Sequence, residues 1–114
     1  SLSGGSDLTI DGDVFALLNN GHITKFSKGL LQPFDITGLD PALTNGGRIW
    51  TYADSTNLYV LDSVGKRLII LDKDGHLKQQ ITSSLFTNPS GVAIDEPGKA
   101  AYILDSGTLY KVGI

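Results

Sequence analysis

The segment Asn57-Leu-Tyr-Val-Leu-Asp-Ser-Val-Gly-Lys-Arg-Leu-Ile-Ile-Leu-Asp-Lys-Asp-Gly75 decides the fold of this chain. It predicts two short β-strands joined by a tight polar turn, because two apolar runs flank a turn that contains glycine. A shortened version returns over residues 101–112, and a degenerate version precedes it over residues 14–26. One structural unit is therefore repeated three times.

The composition favours an all-β domain. The chain has 14 glycines in 114 residues, well above the average of about 7%. No window of about twelve residues keeps the apolar spacing of a helix without a Gly or Pro interrupting it. Strands punctuated by turns are the expected structure.

Charge and residue types exclude several functional classes. The net charge is −3 and the basic residues are scattered singly, so the clustered basic face that nucleic-acid binding needs is not predicted. Apolar runs are far shorter than the roughly 18 residues of a membrane span. There is no cysteine, hence no disulfide, and no cofactor is predicted. The chain also lacks methionine, which suggests an excised or processed segment of a longer protein.

Four segment types recur with a period of about 42 to 44 residues. A period of this length with four short strands is typical of a β-propeller blade, in which four-stranded sheets circle a channel. Blades are predicted at residues 8–38, 48–83 and 91–114, the last without an outer strand. The matched segments are 8–11 with 50–53 and 92–95, 15–18 with 59–62 and 102–105, 23–26 with 68–71 and 109–112, and 34–37 with 79–82.

The two ends of the chain predict how a ring would close. Residues 1–4 resemble residues 35–38, at the end of the first repeat's fourth strand, and the chain stops just after the third strand of the third repeat. Residues 1–4 are therefore expected to serve as the outer strand of the seam blade. The predicted seam residues are Ser1, Leu2, Ser3, Gly4, Leu109, Tyr110, Val112 and Ile114.

Three blades are fewer than the roughly four to eight of a closed propeller. The sequence therefore predicts half of a six-bladed ring, completed by a homodimer that exchanges strands at the seam. The alternative is that the remaining blades belong to a longer parent chain. The long connections between blades carry Leu39, Leu43, Leu85 and Phe86, which are expected to pack between blades.

The segments Tyr59-Val-Leu-Asp-Ser-Val-Gly-Lys-Arg-Leu68 and Asn88-Pro-Ser-Gly-Val-Ala-Ile-Asp95 resemble the NHL-type propeller repeat. Its pattern is a Pro-Ser-Gly-apolar-Ala-apolar-Asp inner strand, then Tyr-Val-Ala-Asp and Asn-x-Arg. The first repeat departs from it, with Asn19 where Asp62 and Asp105 stand. The resemblance implies a six-bladed ring with a binding role, usually towards proteins and sometimes towards RNA or carbohydrate.

Asp62 and Asp105 each end a second strand and are each followed by serine. A short carboxylate in this position accepts backbone N–H bonds and fixes the following turn. The alternative is a carboxylate ring for metal or acid–base chemistry, and recurrence in successive blades favours the structural interpretation. Arg67 is expected to pair with one of these aspartates.

The loop end near the channel is the predicted ligand surface, with contacts from Arg48, Trp50, Arg67 and Asn88 to a protein or small molecule. For Trp50 the alternative is packing between blades. A calcium loop beginning at Asp72 is not supported, because its twelfth position is Ser83 rather than glutamate. The histidines lack metal-ligand spacing.

The predicted function is a non-catalytic propeller scaffold for binding or assembly. The alternative is a propeller enzyme of the lyase or lactonase type, with a metal at the central channel. Such an enzyme needs acidic, amide or imidazole groups from several inner strands. The inner strands here offer only Asp11 and Asp95, at their ends.

Overall fold

The computed structural model describes residues 5–114, which form eleven β-strands and no helix. No part of that range forms a helix suited to crossing a membrane. The strands are β1 (Gly5–Ile10), β2 (Asp13–Leu18), β3 (Ile23–Ser27), β4 (Leu30–Gln32), β5 (Arg48–Trp50), β6 (Asn57–Asp62), β7 (Arg67–Asp72), β8 (Leu77–Thr82), β9 (Pro89–Asp95), β10 (Ala100–Asp105) and β11 (Thr108–Gly113).

The strands form three antiparallel sheets, each in chain order. Blade 1 is β1–β4 and blade 2 is β5–β8, each with four strands, and blade 3 is β9–β11 with three. The predicted all-β class with blade-like sheets is confirmed. Within the described residues, β11 has no strand on its outer side.

The blades stack face to face, and the core lies in the two spaces between them. Between blades 1 and 2, Phe15 and Leu17 meet Ile49 and Val60 in one buried cluster. Between blades 2 and 3 a second cluster forms, because successive strand residues point to opposite faces of a sheet. The second cluster includes Tyr59, Leu61, Leu68, Ile70, Ala101 and Ile103.

The pairing register corrects the alignment of the inner strands. Trp50 pairs with Tyr59, and Ala93 pairs with Tyr102, so Trp50 corresponds to Ala93. The sequence alignment matched Trp50 to Val92 instead. A one-residue slip exchanges the two faces of a strand.

The fourth strand of blade 1 also differs from the prediction. It is Leu30–Gln32, not residues 34–37. Pro33 ends it, because proline has no N–H for the sheet. Beyond it, Phe34 turns into the core between blades 1 and 2 and packs edge-on against Phe15.

The connections between blades are pinned by fewer residues than expected. Leu39 and Leu43 pack against the core between blades 1 and 2, and Phe86 is buried between blades 2 and 3. Leu85 is 61% exposed, so its predicted packing role is wrong.

The turn between β6 and β7 uses glycine for a reason the sequence did not show. Lys66, with φ of 56°, takes the left-handed conformation there. Gly65 is required because a Cβ would overlap the Asp62 carboxylate, which accepts a hydrogen bond from the Gly65 N–H at 2.8 Å. The same Asp-x-x-Gly-Lys pattern forms the turn at residues 95–99, where Lys99 has φ of 52°.

The predicted seam residues divide into three groups. Residues 1–4 lie outside the described range. Leu109 is exposed on the outward face of blade 3. The side chains of Tyr110, Val112 and Ile114 pack back against blade 2. Alternation along β11 explains the difference, because neighbouring side chains point to opposite faces. In the described residues β11 is an edge strand, so the pairing predicted along the seam stays a prediction.

Candidate functional site

Blade 3 leaves its following face uncovered. In blade 2, Leu61 pairs with Leu68 on the face that packs against blade 3, and both are fully buried. The matching pair in blade 3 is Leu104 with Leu109, which are 46% and 64% exposed. Equivalent leucines are therefore core residues in one blade and surface residues in the next.

Blade 1 leaves its preceding face uncovered in the same way. Leu8 pairs with Ala16 and Ile49 pairs with Val60, which makes Leu8 the counterpart of Ile49. Ile49 is buried against blade 1, whereas Leu8 is 51% exposed. The chain therefore presents two open, apolar sheet faces at its opposite ends.

Polar side chains of one inner strand bond the backbone of the next. The Ile49 N–H donates to Asp7 Oδ2 at 2.9 Å, and the Thr51 N–H donates to Thr9 Oγ1 at 3.1 Å. Lys73 forms an ion pair with Asp11 across the same boundary. These contacts hold the inner strands of blades 1 and 2 side by side.

A carboxylate surrounded by hydroxyls joins blades 2 and 3. Glu96 accepts hydrogen bonds from Tyr52 and Ser55, each at 2.6 Å, and from Tyr59 at 2.5 Å. Burial alone would raise the pKa of Glu96, but these bonds and the charge of Lys73 lower it below its ordinary value. Burial and the bond to Glu96 raise the pKa of Tyr59 to about 12. This arrangement keeps Glu96 ionised and Tyr59 protonated as a fixed structural pair.

A small cleft lies where the three inner strands begin. Its volume is about 240 Å³, and none of the acidic residues in the described range lines it. Two of the four predicted ligand-contact residues, Arg48 and Asn88, meet there. The lining residues are Ser6, Gly47, Arg48, Ser63, Asn88, Pro89 and Ser90.

The other two predicted contact residues lie elsewhere. Arg67 is 3% exposed and donates to Asp62 and to Gln80, each at 2.8 Å. Because it is buried inside blade 2, it does not reach the cleft where Arg48 and Asn88 meet, in contrast to the predicted ligand surface. Trp50 packs edge-on against Tyr52 and Tyr59 at the boundary with blade 3, which is the packing alternative.

Asp62 and Asp105 occupy matching positions but hold different segments. Asp62 bonds within its own turn and to Arg67. Asp105 accepts from the backbone N–H groups of Thr87 and Asn88 at 2.8 and 2.9 Å. Burial favours a higher pKa for Asp105, but these bonds and two hydroxyl bonds lower it. Asp105 thereby fixes the loop that carries Asn88 into the cleft, rather than only its own turn.

The acidic turn between β7 and β8 brings Asp72, Asp74 and His76 together. His76 Nδ1 lies 3.0 Å from Asp72 Oδ2, and Asp72 Oδ1 also accepts the backbone N–H groups of Asp74 and His76. Hydrogen bonds to His76 lower the pKa of Asp72. The group is exposed and its bonds are those of a turn.

Sequence reasoning missed Glu96 and the serines of the cleft. The partners of Glu96 lie 37 to 44 residues away, so no local motif indicates the contacts. Ser6 carries no motif of its own. Ser90 belongs to the Pro-Ser-Gly segment at the start of an inner strand, which did not by itself indicate a ligand contact.

Comparison with solved structures supports a propeller-like fold. The chain is similar to the Kuenenia stuttgartiensis hydrazine synthase, with a TM-score of 0.74 and 20% sequence identity. The likeness covers 99% of this chain and 33% of that one, so the chain spans about a third of the neighbour's length. At this identity the likeness concerns the fold alone. No protein-family model and no curated protein matches the chain, and the NHL resemblance therefore rests on its sequence motifs.

Proposed function

We propose that the chain is a non-catalytic β-propeller scaffold that completes its ring with a second copy of itself. The observation that carries the proposal is the contrast between buried Leu61 and exposed Leu104 at one register position. An apolar sheet face of this kind is stable when another sheet covers it. The missing cover is a fourth blade.

A second copy of the chain can cover these faces by the same kind of blade-to-blade contact that is already present within one chain. The open face of blade 3 repeats the Leu61–Leu68 pair of blade 2 as Leu104–Leu109, although Lys111 stands at the position of Ile70. On the open face of blade 1, Leu8 stands at the position of Ile49 in the receiving face of blade 2. Blade 3 of each copy would dock on blade 1 of the other. Two such contacts, related by a two-fold axis, close a ring of six blades.

The proposal rests on face-to-face docking of the described residues. The predicted strand exchange through residues 1–4 falls outside the described range and stays a prediction.

Structural bonds occupy the acids that an enzyme of this fold would need at its channel. Asp11 pairs with Lys73, and Asp95 Oδ1 accepts the Gly98 N–H at 3.1 Å. Glu96 is held by three hydroxyls. These bonds favour a scaffold over a metal-dependent lyase or lactonase.

Cross-linking tests the docking directly, because the chain has no cysteine of its own. Leu8→Cys and Leu104→Cys variants are prepared separately, mixed, and treated with a short bismaleimide. Head-to-tail docking predicts cross-linked dimers in the mixture and almost none from either variant alone. Self-cross-linking of Leu104→Cys, or no product in the mixture, would contradict the arrangement. Leu85→Cys mixed with Leu8→Cys is the matched control.

A further inference from the structure

We propose that the cleft at the start of the inner strands binds an oxyanion, namely the carboxylate or phosphate group of a ligand. All of its lining residues belong to one chain. The site therefore does not require the ring to close, and it goes beyond the scaffold role.

Arg48 supplies the positive charge. Its Nε donates to the Ser90 carbonyl at 3.2 Å, which holds the guanidinium across the gap between blades 2 and 3. Among the described residues neither Nη group has a hydrogen-bond partner, and the side chain forms no ion pair. A guanidinium fixed at one nitrogen presents its remaining donors as a planar fork, which matches the geometry of carboxylate and phosphate.

Neutral donors surround this cation. Ser63 and Asn88 line the cleft, and within the described chain neither side chain has a hydrogen-bond partner. Ser90 Oγ makes only a long contact of 3.4 Å to the Leu104 carbonyl. These hydroxyl and amide groups add hydrogen bonds to an anion without adding charge.

The nearby acids do not line the cleft, and each accepts hydrogen bonds elsewhere. Asp62 pairs with buried Arg67, and Asp105 accepts bonds from Thr87, Asn88 and Ser106. Asp7 accepts the Ile49 N–H. Since no acid lines the cleft, the charge that a ligand meets first is that of Arg48.

The size of the cleft limits the ligand. About 240 Å³ is below the range of roughly 300–1,000 Å³ typical of pockets that enclose whole small molecules. It suits one anionic group, with the rest of the ligand lying outside.

The test is a titration of the 15N-labelled protein with inorganic phosphate and, separately, acetate, at constant ionic strength set with chloride. We expect saturable shifts of the amide signals of Ser63 and Ser90. Arg48→Gln should weaken binding at least about tenfold, since a charge-assisted hydrogen bond contributes about 1.5–3 kcal/mol. Lys66→Gln, which removes an exposed charge outside the cleft, should change it less than about twofold.

The other results of the titration also support or overturn the anion site. Stronger binding of phosphate than of acetate, or the reverse, identifies the preferred group. Absence of saturation overturns the inference, as does equal weakening by Lys66→Gln. Ser63→Ala with Asn88→Ala, which keeps Arg48 in place, should also weaken binding, and no change would count against the site. A Leu109→Gln variant, which changes the open face of blade 3 without adding charge, should bind the anion as the wild type does, so failure of the ring and failure of the cleft remain distinguishable.

Discussion

Leu61 and Leu104 occupy the same register position in neighbouring blades, and only Leu61 is covered. Each pairs across its sheet with another leucine, Leu68 or Leu109. The first pair is fully buried by blade 3, whereas the second faces outward. The chain thus repeats an interface residue on a face that no other blade of the described residues covers.

Leu104→Asp should abolish dimer formation and leave the fold intact. The side chain is already half exposed in the single chain, so the charge costs little there. In the dimer, residue 104 of each copy would be buried at a contact with the other copy. Losing the buried leucine costs about 1.5–3 kcal/mol at each of the two contacts. The dimer dissociation constant should rise at least about a hundredfold. Sedimentation velocity over a concentration series measures it.

The matched control is Leu85→Asp. Leu85 is exposed to a similar degree but lies in the crossover before β9, away from both open faces. It should leave the dimer unchanged. Equal weakening of the dimer by both substitutions would mean that Leu104 does not lie in the dimer contact.

Tyr59→Phe should lower the free energy of unfolding by about 1–3 kcal/mol. It removes the hydroxyl that donates to Glu96 and accepts from Asn57, both partly buried. Tyr102→Phe is the control, because the Tyr102 hydroxyl has no hydrogen-bond partner in residues 5–114. Urea denaturation should show a change below about 0.5 kcal/mol for that variant. A similar decrease in the free energy of unfolding for both variants would show that the hydrogen bond to Glu96 does not stabilise the protein.

Glu96 should make the protein less stable in acid. Its pKa is lower in the folded chain than its ordinary value of 4.5. Its contribution is therefore fully present above about pH 4.5 and is lost as the pH falls through the folded pKa. At pH 7 Glu96→Gln should be less stable than the wild type, and the gap should narrow towards pH 3. Urea melts across this range measure the gap; a constant gap would contradict the linkage.

Asp62→Ala should be the most damaging of these substitutions. It leaves the Arg67 guanidinium buried without its partner, which typically costs about 3–5 kcal/mol. It also removes the acceptor for the Gly65 N–H. Asp54→Ala, at an exposed position, should have little effect. Adding Arg67→Met to Asp62→Ala should recover part of the lost stability, and failure to do so would rule out the uncompensated charge as the cause.

The repeat period was enough to predict the sheets, because the second strand of every blade contains an uninterrupted apolar run. It was not enough for blade 1's outer strand. There the pattern around Phe34 and Ile36 looks like a strand, but both side chains pack into the space between blades. The inner strand β5 has three residues, so alignment by residue type placed Trp50 one position out of register.

The candidate site was only partly predictable for a related reason. Arg48 and Asn88 follow from the rule that loops at one rim meet near the channel. Arg67 looked equivalent to Arg48, since sequence alone does not reveal that Asp62 and Gln80 bury it. Glu96 has partners a whole repeat away, and such contacts depend on how blades stack.

The mass of the wild-type protein in solution tests the central claim most directly. Size-exclusion chromatography with light scattering, over a range of concentrations, should give twice the chain mass of 12.1 kDa. A mass that stays at 12.1 kDa at every concentration would contradict closure of the ring by a second copy.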